Sequence, residues 1–198
     1  LNAYLSRSIP TLQFKTGDET AAENGELLWD NVNGYPVVSK DGEFRQIVLS
    51  DGQYVGHITT DQTAASINTA YALTYTAQTE DGIENGPPAS RLVFEEGGQY
   101  MVSFSVQIAS TSSSTVNFWF WPRINGTDVT GASMKNALHQ NNSTLVVSRS
   151  SIFDVSAGDY LEAMWAVDST SALLDASAAT AFAPAAPAST ILITRLHG

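Results

Sequence analysis

Within residues 100–108 of this 198-residue chain, apolar and polar residues alternate from Val102 to Ile108. Val102, Phe104, Val106 and Ile108 are separated by single serine and glutamine residues. Because successive side chains of a strand point to opposite faces, this period predicts a half-buried antiparallel strand. No window of about 11 residues shows a helical apolar period without glycine, proline or clustered serine and threonine. The chain is therefore predicted to be an all-β protein.

The first 60 residues predict an extended arm, residues 1–20, followed by a small β-meander. Its strands are predicted at residues 26–29, 35–39, 44–49 and 54–59. The dipeptides between them, Asn33-Gly34, Asp41-Gly42 and Asp51-Gly52, supply the positive φ angles that tight hairpins require. Four short strands bury little apolar surface, so this module must pack on other protein. We expect residues 1–60 to form an anchoring module.

Residues 61–198 predict a second, larger domain. Its strands are predicted at residues 69–76, 91–94, 100–108, 115–124, 144–155, 160–167 and 190–196. About eight strands in about 130 residues indicate a two-sheet sandwich of Greek-key or jelly-roll type. The alanine-rich residues 176–190 contain Pro184 and Pro187, which disfavour a helix or central strand. They predict either an ordered loop that packs on a neighbouring subunit or a surface loop.

The charge balance excludes several classes of partner. The chain contains nine Lys and Arg and 20 Asp and Glu, which gives a net charge of −11 at pH 7. Nucleic acid and anionic membranes both select an excess of cations, so neither is an expected partner. No apolar run approaches the roughly 18 residues of a membrane helix, and the absence of cysteine excludes disulfides and thiolate metal sites. We expect a soluble, globular protein without membrane insertion.

The segment Phe118-Trp119-Phe120-Trp121 places aromatic side chains on both faces of one predicted strand. One face can enter the core, but the other would leave large apolar area in water. A symmetric oligomer would cover this second face. Two alternatives stay open: a platform on which sugars stack, and a flap from the same chain.

The segment RLVFEEGGQYMVSFSVQ at residues 91–107 resembles the turn, Gly-x-Tyr and alternating strand of tumour necrosis factor-like jelly rolls. This superfamily includes the globular heads of complement-type collagenous proteins. The Asn125-Gly126 turn after an aromatic strand, the Gly158-Asp159 turn and the closing strand at 191–196 agree with it. The resemblance covers residues 62–198 and implies an antiparallel two-sheet jelly roll and a homotrimer.

Members without a collagen stalk or cysteines resemble virion proteins of tailed bacteriophages. The segment GELLWD at residues 25–30 is similar to modules that precede such heads. The resemblance implies a trimer and an N-terminal anchor. We predict that the oligomer interface includes the aromatic residues Tyr71, Tyr75, Phe118, Trp119, Phe120 and Trp121. We predict Tyr4, Leu5, Phe14 and Trp29 as the anchoring residues.

Motifs for catalysis or metal binding are weak. Neither nucleotide-binding glycine motifs nor hydrolase or metalloprotease motifs occur, and His57, His139 and His197 are scattered. The carboxylate pairs Asp159/Glu162 and Glu95/Glu96 could serve glycoside hydrolysis only if they converged. The acidic residues 80–86 lack the spacing of a calcium loop. We expect no catalytic residues, no metal and no cofactor.

These observations predict a non-enzymatic structural protein on the surface of a bacteriophage particle, either a capsid-decoration (cement) protein or a tail or fibre component. Its partners would be two further copies and the major capsid or tail proteins of that particle. The alternative is a receptor- or carbohydrate-binding adhesin head that attaches to a host surface glycan.

Overall fold

The computed structural model describes residues 27–30, 35–40, 43–46, 52–139 and 142–197, and within these ranges it contains strands and no helix. The chain divides into two compact units, Leu1–Leu49 and Ser50–Gly198. In the first unit, β1 (Leu27–Asp30), β2 (Tyr35–Lys40) and β3 (Glu43–Gln46) form an antiparallel sheet in that order. A small N-terminal meander is therefore present.

The second unit contains two antiparallel sheets. The first comprises β4 (Gln53–Ile58), β5 (Gln62–Thr63), β7 (Thr76–Asp81), β10 (Gly98–Ser110), β14 (Ser143–Val155), β16 (Ala172–Leu174) and β17 (Ser189–His197). The second comprises β6 (Tyr71–Ala72), β8 (Ile83–Asn85), β9 (Leu92–Phe94), β11 (Val116–Ile124), β12 (Thr127–Asp128), β13 (Met134–Leu138) and β15 (Tyr160–Val167).

Strand β10 organises the first sheet. It pairs with β14 along its whole length on one side, and with β17 and then β16 on the other. Strands β4 and β7 follow β17. In the second sheet β15 lies between β11 and β9, and β13 pairs with the far side of β11. Long strands thus pass alternately between the sheets, and the predicted antiparallel jelly-roll sandwich is confirmed.

The core lies between the two sheets. The inward residues of β10, including Val102, Phe104 and Val106, are buried, as the alternation predicts. Phe104 meets Phe120 of β11 edge to face, with ring centroids 5.0 Å apart. Aromatic contacts of this geometry contribute beyond the apolar area they bury. The contact of these two rings therefore connects the centres of both sheets.

The boundary between the units lies earlier than the predicted position after residue 60. Strand β4, predicted within the N-terminal meander, pairs instead with β17 and β7 of the sandwich. Its alternate residues Tyr54, Gly56 and Ile58 are buried there. The single strand predicted at residues 69–76 is also corrected: Tyr71–Ala72 pair in the second sheet and Thr76–Asp81 in the first.

Two core tyrosines bury their hydroxyls with hydrogen-bond partners. The Tyr54 hydroxyl donates to Asn85 Oδ1 at 2.7 Å, and the Tyr75 and Ser189 hydroxyls are 2.9 Å apart. Desolvation by burial raises the pKa of Tyr54 to about 12, and burial also raises the pKa of Tyr75. Both tyrosines are thus more difficult to ionise in the folded chain.

The raised pKa of Tyr54 predicts alkaline destabilisation. Above the ordinary tyrosine pKa of about 10, only the unfolded chain releases the proton readily, so the free energy of unfolding falls as the pH rises toward 12. Below pH 10 this contribution is fully present. Urea denaturation across about pH 9 to 12 measures it. Tyr54→Phe should give a shallower decline, and an unchanged slope would contradict the assignment.

Candidate functional site

An open groove with a volume of about 520 Å³ lies on the outer face of the second sheet. Its floor contains Trp119 and Trp121 of β11, both half-buried, and the small side chain of Ala166 beside Trp119 on β15. We call this the tryptophan groove. Its other lining residues are Asn68, Ala70, Asp128, Val129, Thr130, Gly131 and Ser133.

Hydrogen bonds to backbone carbonyl groups fix both walls of the tryptophan groove. On one side, Val129 N donates to Pro122 O at 3.1 Å, and Arg149 Nη2 donates to Gly131 O at 3.2 Å. On the other, Asn68 N donates to Val167 O at 2.8 Å, and Asn68 adopts a left-handed φ of 52°. Asparagine tolerates that conformation better than most residues. The walls are thus held in place by the sheet.

Asp128 is the acidic group of the tryptophan groove. Its Oδ1 accepts hydrogen bonds from Trp121 Nε1 at 2.8 Å and from Arg123 Nε at 2.7 Å. The Arg123 hydrogen bond, followed by that of Trp121, lowers the pKa of Asp128. Within the described ranges, Asp128 Oδ2 accepts no hydrogen bond. An ionised carboxylate at the rim therefore retains capacity to accept hydrogen bonds from a ligand.

The Asn125-Gly126 hairpin explains the position of Asp128. Both turn residues have positive φ, 49° and 76°, as a two-residue hairpin of this type requires. The turn pairs Asp128 with Arg123 across β11 and β12. On the same side of β11, Lys135 of β13 pairs with Trp119, and its Nζ lies 5.3 Å from the centre of the Trp119 ring. The groove therefore carries a balanced pair, Arg123 and Asp128, and one further cation.

The second candidate surface is the outer edge of the first sheet, formed by β14, which we call the β14 edge. One side of β14 pairs with β10, and no strand in the described part of the chain pairs with the other. Three apolar side chains of β14 are exposed, with exposed fractions of 37% for Leu145, 57% for Val146 and 56% for Ile152. Unpaired apolar edges are pairing surfaces unless they are covered.

The structure separates the six residues predicted at the oligomer interface. Trp119 and Trp121 lie on the outer face of the sandwich. Phe118 and Phe120, only 0% and 1% exposed, lie in the core, and so does Tyr75. The prediction is corrected for these three, because the sandwich itself covers them. Each strand has only one outward face, and the sequence did not show which pair occupied it.

Tyr71 is half-buried beside Trp165, with ring centroids 5.9 Å apart. Of the predicted anchoring residues, Tyr4, Leu5 and Phe14 lie outside the described residues. Trp29 lies in β1, where its backbone pairs with Pro36. The anchoring role of these four residues stays a prediction.

The loop between β16 and β17 is ordered in itself. Ser177 and Ala186 form an isolated bridge, and Thr180 N donates to Ala183 O at 2.8 Å. Phe182, in the turn that these bonds close, is 91% exposed. The predicted packing of this loop on a neighbouring subunit stays a prediction.

The carboxylates considered for catalysis have structural partners. Asp159 accepts hydrogen bonds from Ser156 N and Asn125 Nδ2, both at 2.7 Å, and these interactions lower its pKa. Buried Glu162 accepts one from Ser90 Oγ at 3.1 Å. Across the ranges with described side chains, no three histidine or acidic residues converge to hold a metal.

Arg195 of β17 joins the closing strand to the turn before β10. Its side chain is largely buried, forms an ion pair with Glu96, and donates through Nη2 to Gly97 O at 2.6 Å. The Tyr100 hydroxyl donates to Glu96 O at 3.1 Å. A small cavity of about 80 Å³ adjoins these residues. The cluster connects the C-terminal strand to the core.

The sequence did not single out Asp128, Lys135 or Ala166 as groove residues. Asp128 could have been found, because a two-residue Asn-Gly hairpin places it opposite Arg123, on the same strand face as Trp121. Ala166 and Asn68 carried no such signal, since they reach the groove only through sheet pairing and the loop before β6.

The fold and its surfaces define a class: an antiparallel jelly-roll sandwich with an aromatic groove on one sheet and an apolar edge on the other. No protein-family model and no curated protein matches the chain. Among solved structures it is similar to the globular domain of zebrafish complement 1qA protein. That likeness has 11% sequence identity and a TM-score of 0.45, over 74% of this chain and 98% of that one. The jelly-roll assignment rests on the strand order given above.

Among the described residues, no helix is long and apolar enough to cross a membrane.

Removal of the Arg195 side chain should destabilise the sandwich. Arg195→Met loses a charge-assisted hydrogen bond and an ion pair in a largely buried place, so we expect a loss of about 1.5–3 kcal/mol in the free energy of unfolding. Arg123→Met is the matched control, because it removes a more exposed ion pair and should cost less than about 1 kcal/mol. Urea denaturation measures both. Equal losses would contradict the structural role of Arg195.

Proposed function

We propose that this chain is a non-enzymatic, homotrimeric structural protein exposed on the surface of a bacteriophage particle, as a capsid-decoration, tail or fibre component. The sandwich is the self-associating head, and residues 1–49 form the unit that anchors it to other particle proteins. The role requires assembly and no chemical step. The β14 edge is the observation that carries the proposal.

The β14 edge has the properties of a surface that another protein covers. On the side of β14 away from β10, no strand in the described part of the chain pairs with it, and its side chains Val146 and Ile152 are exposed. Adjacent Leu145 is exposed on the opposite face, so both faces of the strand are apolar at this end. Long exposed edges promote association unless the protein blocks them. Coverage by a partner satisfies the backbone groups and removes the apolar side chains from water.

The charge distribution of β14 is compatible with a second copy of the chain as that partner. The net charge of −11 makes two copies repel each other over most of their surface. Strand β14 carries one cation, Arg149, and one anion, Asp154, and its other residues are uncharged. A contact between copies through this strand therefore adds little like-charge repulsion.

The number of copies and the particle context come from the sequence. The resemblance of residues 91–107 to tumour necrosis factor-like heads supports three copies, because such heads form trimers. The similarity of residues 25–30 to modules of phage proteins supports an anchored virion component. The acidic head would keep assembled particles soluble and mutually repelling.

The solution mass tests the proposal. Light scattering of the full chain should give three times the 21.2 kDa mass of one chain. Val146→Ser/Ile152→Ser should lower the mass to that of a monomer, because it removes the two most exposed apolar side chains of β14. Both positions are more than half exposed, so the fold should tolerate the change.

Two control variants test whether the interface lies at the β14 edge. Ile67→Ser removes an exposed apolar side chain outside β14 and should leave the trimer intact. Trp119→Ser/Trp121→Ser should also leave the trimer intact if the β14 edge is the interface. A monomeric wild-type chain would refute the trimer. Dissociation only in the tryptophan variant would move the interface to the second sheet.

A further inference from the structure

We propose that the tryptophan groove binds a glycan, with a pyranose ring stacked on Trp119 and Trp121 and its hydroxyl groups hydrogen-bonded to Asp128 and Asn68. This inference goes beyond the structural role, since it assigns a ligand to a surface that the β14 edge does not include. It would give the head a means of attachment.

The floor of the groove suits the apolar face of a sugar ring. Trp119 and Trp121 are two positions apart on one strand face, which places them about 7 Å apart along β11. Ala166 leaves room next to Trp119, where a larger side chain would fill the space. The volume of about 520 Å³ lies in the usual range for ligand sites. One ring can therefore contact both indoles.

The polar groups at the rim select a hydroxyl-rich ligand over an apolar protein segment. Asp128 is held ionised by Arg123 and Trp121, and its Oδ2 remains available. Among the described residues, the Asn68 side-chain amide also makes no hydrogen bond. An apolar partner would bury both groups unpaired, which is costly. Sugar hydroxyls both donate and accept, so they can satisfy the carboxylate and the amide together.

The polar groups also hold the indoles in place. Asp128 fixes the orientation of Trp121 through the indole nitrogen, at 2.8 Å. Lys135 lies over the ring of Trp119. Such preorganisation reduces the entropy that binding must offset. Highly charged polyanions such as nucleic acids are disfavoured ligands, because the chain carries a net charge of −11.

Calorimetric titration of the full chain with three probes tests the inference: maltohexaose, chitohexaose and sialyllactose. They represent neutral, N-acetylated and acidic pyranoses, and we expect at least one to bind. Trp119→Ser/Trp121→Ser and Asp128→Asn should each weaken that binding about tenfold or more. Ala166→Phe should block it by filling the floor while it leaves both indoles and the carboxylate in place.

The matched control is Val146→Ser/Ile152→Ser, which changes assembly and not the groove. Binding per chain should persist in this variant, so failure of the trimer and failure of the groove remain distinguishable. Absence of binding by all three probes would overturn the inference, and so would equal affinity in the wild-type chain and the Ala166→Phe variant. If Trp119→Ser/Trp121→Ser becomes monomeric, the groove is a contact between copies, and this result would overturn the proposal that it binds a glycan.

Discussion

The edge-to-face contact between Phe104 and Phe120 determines which side of each long strand becomes surface. Side chains alternate, so once Phe120 faces Phe104 across the sandwich, Trp119 and Trp121 must face outward. The same constraint acts through β10 on its neighbour: Met101 points outward and pairs with Ile152, which is therefore exposed. The positions of both candidate surfaces, the tryptophan groove and the β14 edge, therefore follow from which alternate residues of β10 and β11 face the core.

Strands whose residues alternate between apolar and polar could be predicted from the sequence. Short strands that form only by pairing with another strand could not. The alternation from Val102 to Ile108 predicted β10 and its buried face, and Asn125-Gly126 predicted the turn after β11. Strands β5 and β16 are only two and three residues long, too short to show a period. They form because β16 pairs with β10 and β5 pairs with β16. Strand β4 has a clear pattern, but nothing local identifies β17 as its partner.

Apolarity alone could not show whether Phe118 and Phe120 or the two tryptophans enter the core. One chemical difference between the two pairs is the indole nitrogen, a donor that needs an acceptor when it is buried. Trp121 finds that acceptor in Asp128 at the surface, whereas phenylalanine needs none. The β14 edge was hidden for a related reason: Leu145, Val146 and Val147 form an apolar run without alternation, which is typical of a strand buried on both faces. Only the edge position leaves two of them exposed.

The distribution of charge connects the two surfaces. The chain has only nine Lys and Arg, yet Arg123 and Lys135 flank the tryptophan groove and Arg149 lies on β14. Arg149 also donates to Gly131 O in the groove wall, so it belongs to both surfaces. Scarce cations are thus placed where an acidic chain would otherwise repel a partner. Three of the nine Lys and Arg therefore lie at these two surfaces, where they reduce the repulsion between this acidic chain and an acidic partner.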